Sequence, residues 1–230
     1  MISVLVVILV PAAFAGLAYR LGMVSRGGAL GGFVVAVAIH ASLGWRGFAV
    51  LALFVVGGSA LTRLGYRRKE LSGTAEGGGG RRGARNALAN AGVAVACALL
   101  AALTPYPEAF AAAFIASLGA AFADTAESEV GQVYGHTPRL ITTFARVPPG
   151  TDGAISLPGT LAGLGAAILT AAFGFWIGLV GSASAVAIVG AAAFLGTVVD
   201  SLIGALAPRL GNELTNAACT LTAASLALLA

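Results

Sequence analysis

The chain is poor in charge, poorer still in acid, and almost empty of cysteine and histidine. Of its 230 residues only 10% are charged, nine are Asp or Glu, and two each are Cys and His. Cys97 and Cys219 both lie inside apolar runs, which excludes a disulfide framework or a Cys-based zinc site. His40 and His136 have no His or Cys partner at metal-ligand spacing. We read His40 as a helix-packing residue and His136 as a surface-loop residue. No Ser-His-Asp set stands out, and neither a Walker A nor a dinucleotide fingerprint is present.

What is there is apolar. Hydrophobic residues make up 58% of the chain and mean hydropathy is strongly positive, which marks an integral membrane protein. The 33 glycines fit close helix approach where lipid gives no hydrophobic drive for association. Crossing about 30 Å of hydrocarbon takes roughly 20 residues of helix. Eight runs qualify or nearly do: 2–19, 27–43, 47–62, 86–103, 108–124, 154–177, 180–199 and 213–230. The sequence therefore predicts one all-α polytopic membrane domain over residues 1–230, with seven or eight transmembrane helices. Seven would leave one short run re-entrant. Met1 to Tyr19 lacks a basic n-region and reads as a retained first helix rather than a signal. Run six, with Pro158 and several glycines, is a candidate for a kink.

Twelve of the 13 basic residues fall on alternate loops, at Arg20 and Arg26, Arg63 to Arg85, Arg139 and Arg146, and Arg209; only Arg46 is opposite. The positive-inside rule then predicts cytoplasmic loops 63–85, 125–153 and 200–212, with both termini outside. In a prokaryote the membrane would be the plasma membrane. Short strings also repeat. Val55 to Gly65 resembles Val198 to Gly211, Asn86 to Ala91 resembles Asn212 to Ala217, and Gly28-Ala29-Leu30 pairs with Gly153-Ala154-Ile155. These similarities allow a parallel duplication of four plus four helices.

Four of the nine acids fall in two short pieces attached to apolar runs: Asp124, Glu127 and Glu129 in one, Asp200 in the other. Acids at membrane depth are costly, so function is the default explanation. Asp124, Glu127 and Ser128 share a face if the helix continues, and Glu129 points elsewhere. With Asp200 these carboxylates could hold Mg²⁺ through one or two direct oxygens plus nucleotide phosphates. Pairing with Arg139, Arg146 or Arg209 as packing glue is the alternative. The glycine-rich stretch ending in Gly80, Arg81 and Arg82 runs on to Arg85, Asn86 and Asn90. It is a candidate phosphate cradle or, more simply, a flexible basic linker. Arg82, Asn86 and Asn90 are spaced to share one helix face. Arg139, Thr142, Thr143 and Arg146 sit in a long, hydroxyl-bearing, proline-stiffened loop suited to an anion. Asp152, just before run six, is a candidate helix N-cap.

The strings GRRGARNALANAG, ADTAESEVG, PRLITTFARVPPGTDGAISLPGTLAG and DSLIGALAPRLG followed by NELTNAA resemble the membrane-protein family that includes plant and cyanobacterial phytyl-phosphate kinase. The resemblance covers most of the chain. It implies transfer of a phosphoryl group, typically from CTP, to a phytyl, geranylgeranyl or farnesyl monophosphate, giving the diphosphate. On that view Mg²⁺ is the cofactor, the partners are CTP and a prenyl monophosphate lipid, and no nucleic acid is involved. Asp124, Asp200 and Arg82 are the expected catalytic residues. Gly80, Arg81, Arg82, Arg85, Asn86, Asn90, Arg139, Thr142, Thr143, Arg146 and Asn216 are expected on nucleotide or phosphate. Asp124, Glu127, Glu129 and Asp200 are expected on metal. Ala126-Glu127 departs from the Trp-Ala of many relatives, so the acids carried over by resemblance are Asp124 and Glu129. A secondary transporter or lipid scramblase with an acidic site at the cytoplasmic edge is the competing expectation.

Overall fold

The computed structural model describes residues 4–229; Ile2, Ser3 and Ala230, the outermost residues of the first and last runs, lie outside the described residues. It is helical nearly throughout. The elements are α1 (Val4–Arg20), α2 (Arg26–Arg63), α3 (Tyr66–Leu71), a single glycine turn α4 (Gly77–Gly80), α5 (Ala84–Leu103), α6 (Pro107–Tyr134), α7 (Leu157–Trp176), α8 (Ala183–Leu206) and α9 (Asn212–Leu228). Five of them, α2, α5, α6, α7 and α8, are long and apolar enough to cross a membrane. With the shorter α1 and α9, and α2 divided in two, helical segments stand at all eight runs.

The division of α2 follows from one residue. A straight 38-residue helix would extend about 57 Å, yet Gly28 and Val35 line one small cavity together with Leu51 and Gly58. The chain folds back at Gly44, whose φ of 61° and ψ of −152° no residue with a Cβ adopts without strain. The two arms are runs two and three. On the same face as this bend, Arg46 donates to the Gly178 carbonyl at 3.3 Å, and the buried His40 ring packs 4.8 Å from Trp45.

Helix α6 is the hub. It touches α2, α5, α7, α8 and α9, and 78% of its most apolar stretch is buried, against 39% or less in the other four long helices. Its inward residues are largely Ala, Gly and Ser, which lets neighbours approach to backbone distance. A Cβ on Gly159 of α7 would stand 2.6 Å from the Glu127 carbonyl, and one on Gly196 of α8 would stand 2.7 Å from the Cys219 carbonyl. Bulkier residues there would push the helices apart.

The basic residues other than Arg46 gather at one end of the bundle. That end holds the C-termini of α1, α6 and α8 and the N-termini of α2, α5, α7 and α9. Several details differ from the sequence expectations. Residues 125–134 and 200–206 continue α6 and α8, so the connections are 135–156 and 207–211; Thr125 and Glu129 are buried, and Glu127, Ser128, Gln132, Asp200 and Ser201 line a space between the helices, so polarity does not end them. Helix α7 is unbroken, because Pro158 sits in its first turn, where no intrahelical N–H bond is lost. Its N-cap is Ser156, accepting from the Gly159 N–H at 3.3 Å, and not Asp152. Ser25 caps α2 in the same way through Gly28 at 3.1 Å. If the halves correspond, these caps pair Gly28 with Gly159 rather than Gly153, a six-residue shift that glycine- and alanine-rich strings hide from comparison by eye.

Replacing Gly44 by Ala is expected to cost about 1–3 kcal/mol through its disallowed dihedrals. A fall in melting temperature in detergent would show it, while Gly16→Ala, with nothing within 4 Å of the new methyl, stays near wild type.

Candidate active site

At the basic end the helices part around a cavity of about 910 Å³. Asp124 and Glu127 come to it from α6, one turn apart on one face, and Asp200 from α8, with the three carboxylates close enough to interact. The Arg82 guanidinium faces Asp124 from the α4–α5 connection. The Thr215 hydroxyl lies beside Asp200, and those of Thr160 and Thr197 lie beside Glu127. Gly163 makes room for this arrangement, since a Cβ there would stand 3.3 Å from Glu127 Oε2. Neither Asp124, Glu127 nor Asp200 has a Lys or Arg within salt-bridge distance, and Asp200 Oδ2 is buried with no hydrogen-bond partner among the described residues.

The cavity's charge has an unexpected sign. Seven carboxylates line it, those of Glu76, Asp124, Glu127, Glu129, Asp152, Asp200 and Glu213, against two arginines, Arg82 and Arg85. One of the seven is neutralised: Glu129 forms a buried ion pair with Lys69, whose Nζ also donates to the Thr62 carbonyl at 2.8 Å. Lys69 is fully buried and Glu129 is 5% exposed, so this pair ties α3 to α6 behind the cavity wall to which Glu129 belongs. The remaining acids make the space attractive to cations and hostile to a bare polyphosphate.

Arginine and amide groups form one further row. Arg82 Nη1 reaches Asn86 Oδ1 and Nη2 reaches Thr62 Oγ1, each at a long 3.5 Å, while its Nε is buried without a partner among the described residues. Asn90 donates to the Asn86 carbonyl at 3.0 Å and to its Oδ1 at 3.3 Å. Arg82, Arg85, Asn86 and Asn216 line the cavity; Asn90 lies behind them, buried. Gly80 and Arg81 stand outside the lining, Arg81 exposed near Gly22. The Arg139 to Arg146 segment turns away. Strand β1 (Arg139–Leu140) pairs antiparallel with β2 (Ala154–Ile155), and Arg139 Nη1 donates to the Phe144 carbonyl at 2.7 Å. Thr142, Thr143 and Arg146 are exposed on that hairpin and do not line the cavity.

Carboxylate oxygens are hard donors that suit Mg²⁺, and the partnerless Asp200 oxygen is what an absent cation would leave. Among the described residues no three His, Cys, Asp or Glu side chains converge to hold one ion by themselves. The residues therefore fit a cation held by one or two protein carboxylates, with its remaining ligands supplied from outside the protein.

Residues 9–224 match the family described as integral membrane protein DUF92. The chain belongs to the DUF92 family. Among its relatives, the chain is 41% identical over 202 residues to the "Uncharacterized membrane protein sll0875" of Synechocystis, covering 85% of this chain and 78% of that one. It is 34% identical over 203 residues to the "Uncharacterized membrane protein MJ0933" of Methanocaldococcus jannaschii, covering 84% and 80%. With "Protein VTE6, chloroplastic" of Arabidopsis thaliana it shares 35% over 185 residues, 79% of this chain and 55% of the plant protein. No solved structure matches the chain.

The sequence did not single out Lys69, Glu76 or Glu213 for this site. Lys69 was hidden in the Arg67-Arg68-Lys69 run, which reads as a solvated inside-positive loop, whereas Glu213 was visible as an acid in the first turn of the last helix. Lys69→Met, leaving Glu129 buried and unpaired, is expected to cost about 3–5 kcal/mol, and the double variant with Glu129→Leu to recover most of it. Thermal unfolding of the three variants in one detergent measures the difference.

Proposed function

We propose that this DUF92 chain is a phosphotransferase that makes a prenyl diphosphate from a prenyl monophosphate, with CTP as donor and Mg²⁺ as cofactor, its site facing the cytoplasm. The observation that carries the proposal is the acid-lined cavity at one end of a membrane bundle, with Arg82 and Asn86 where it meets the apolar interior. The motif resemblance to the phytyl-phosphate kinase family adds the reaction class.

The chemistry asks little covalent work of the protein. A prenyl phosphate has a second pKa of about 6, so near neutral pH its oxygen attacks without a strong general base. That oxygen bonds to the γ-phosphorus as the β–γ bridge breaks, releasing CDP and the lipid diphosphate. What remains is to bring two highly negative groups together in line. Asp124 and Asp200 would hold Mg²⁺, which supplies charge neutralisation on the nucleotide phosphates. The six carboxylates that form no salt bridge among the described residues repel uncomplexed nucleotide, so the site selects the cation-bound donor. Arg82 and Arg85 meet phosphate oxygens that the metal leaves uncovered, and Asn86 and Asn216 orient them. Glu127, held between Thr160 and Thr197, is the auxiliary acid, and Glu129 serves the wall through Lys69.

Purified protein given CTP, Mg²⁺ and geranylgeranyl or phytyl phosphate is expected to form CDP and the lipid diphosphate, and chelation of Mg²⁺ to stop it. Asp124→Asn and Asp200→Asn are each expected to lower kcat by about 100-fold or more. Absence of turnover with every prenyl phosphate and nucleotide tried would reject the kinase. Nucleotide-independent lipid movement in proteoliposomes that needs Asp124 would favour the transporter or scramblase instead.

A further inference from the structure

A second cavity lies beside the first and is of opposite character. It sits between α1, the two arms of α2 and the start of α5, and its wall is formed by residues such as Phe14, Val35, Leu51, Phe54 and Ala91. Gly28, Gly32, Ala29, Gly58 and Ala87 keep it open. Along α2 it runs from Gly28 to Val35, about 11 Å. Its polar end is Arg82, Gly83 and Asn86, and the same three residues line the acidic cavity. Arg82 therefore stands at the junction of an apolar slot and a polar chamber, its carbonyl accepting from the Ser25 N–H at 3.0 Å and its guanidinium reaching Asn86 and Thr62. Its side chain has only two long hydrogen bonds, a buried partnerless Nε and no salt bridge among the described residues.

A ligand fitting both sides of that junction carries an anionic head directly attached to a hydrocarbon. We propose that this slot seats the phosphate-proximal carbons of the prenyl monophosphate, with its phosphate against Arg82; the assignment rests on the kinase function proposed above. The slot's open volume is about 70 Å³, whereas an apolar cavity of about 150 Å³ is what takes one benzene ring. Only the first carbons are held, and the rest of the chain leaves between the helices toward lipid. The slot then recognises how the chain begins, and chain length matters little.

Gly32 offers a way to close the slot without disturbing the bundle. It lines the cavity, its φ is ordinary helix, and a Cβ there meets nothing within 4 Å. Gly165 on α7 is equally unobstructed but lies outside both cavities and serves as the control. In the full-length protein, Gly32→Leu is expected to raise KM at least tenfold for geranyl and geranylgeranyl phosphate alike. KM for CTP should stay within twofold, and Gly165→Leu should change neither. In parallel, a geranyl phosphate bearing a diazirine next to the phosphate is crosslinked to wild-type protein and mapped by peptide mass spectrometry. Labelling at the α2 arms or the start of α5 that Gly32→Leu removes supports the slot. Labelling elsewhere, no labelling, or an active Gly32→Leu enzyme with unchanged prenyl-phosphate KM overturns it while leaving the kinase assignment standing. Crosslinks in the slot without turnover in wild type would instead reject the kinase and keep the lipid-phosphate site.

Discussion

The burial of α6 among five neighbouring helices is the constraint on which the rest depends. A helix in that position cannot offer its polar residues to lipid or to bulk water, so any carboxylate it carries must face other protein or a chamber the protein builds. Asp124, Glu127 and Glu129 all lie on its last three turns, and each meets a different solution: a shared acidic cavity, a pair of threonine hydroxyls, and a buried lysine. Glycines at 159, 163 and 196 bring α7 and α8 close enough to hold those solutions in place. The small-residue composition that makes the bundle tight is therefore also what positions the acids.

Charge is distributed on two scales. On the scale of the molecule, the basic residues other than Arg46 gather at one end of the bundle. On the scale of the cavity, acids outnumber arginines. The first pattern orients a membrane protein and the second collects cations, so one end of the molecule can be broadly basic while its chamber is acidic. A chamber of that sign takes a polyphosphate only with its counter-ion. Arg82 stands where the acidic chamber meets apolar helix packing, the junction at which the proposed prenyl phosphate would place its head.

Much of this was legible in the chain. Long apolar runs located the helices to within about three residues, except at the C-terminal ends of α6 and α8, because in lipid the backbone must satisfy its own hydrogen bonds. Asp124 and Asp200 were visible because acids adjoining such runs are rare, and their meeting in space followed from the two helices ending at the same face. The Arg82–Asn86–Asn90 row was visible from helical spacing. Three things were not. Residues 125–134 read as loop because polarity ended the apolar run, although Thr125 and Glu129 are buried and Glu127 and Gln132 line the cavity. That residues 139–146 pack on a short backbone pairing, with Thr142, Thr143 and Arg146 exposed and outside the cavity lining, is not readable from composition. The Lys69–Glu129 pair joins residues 60 positions apart, and nothing in a run of basic residues marks the one that goes inside.

On the proposed function, Asp124 and Asp200 form, with a nucleotide, a cation site that neither completes alone. Mn²⁺ titrated into the purified protein and followed by electron paramagnetic resonance tests this most directly. The expected result is tight Mn²⁺ binding only when CTP is present, lost when Asp124 and Asp200 are both replaced by Asn. Mn²⁺ that binds equally well without nucleotide, or in the double variant, would contradict it.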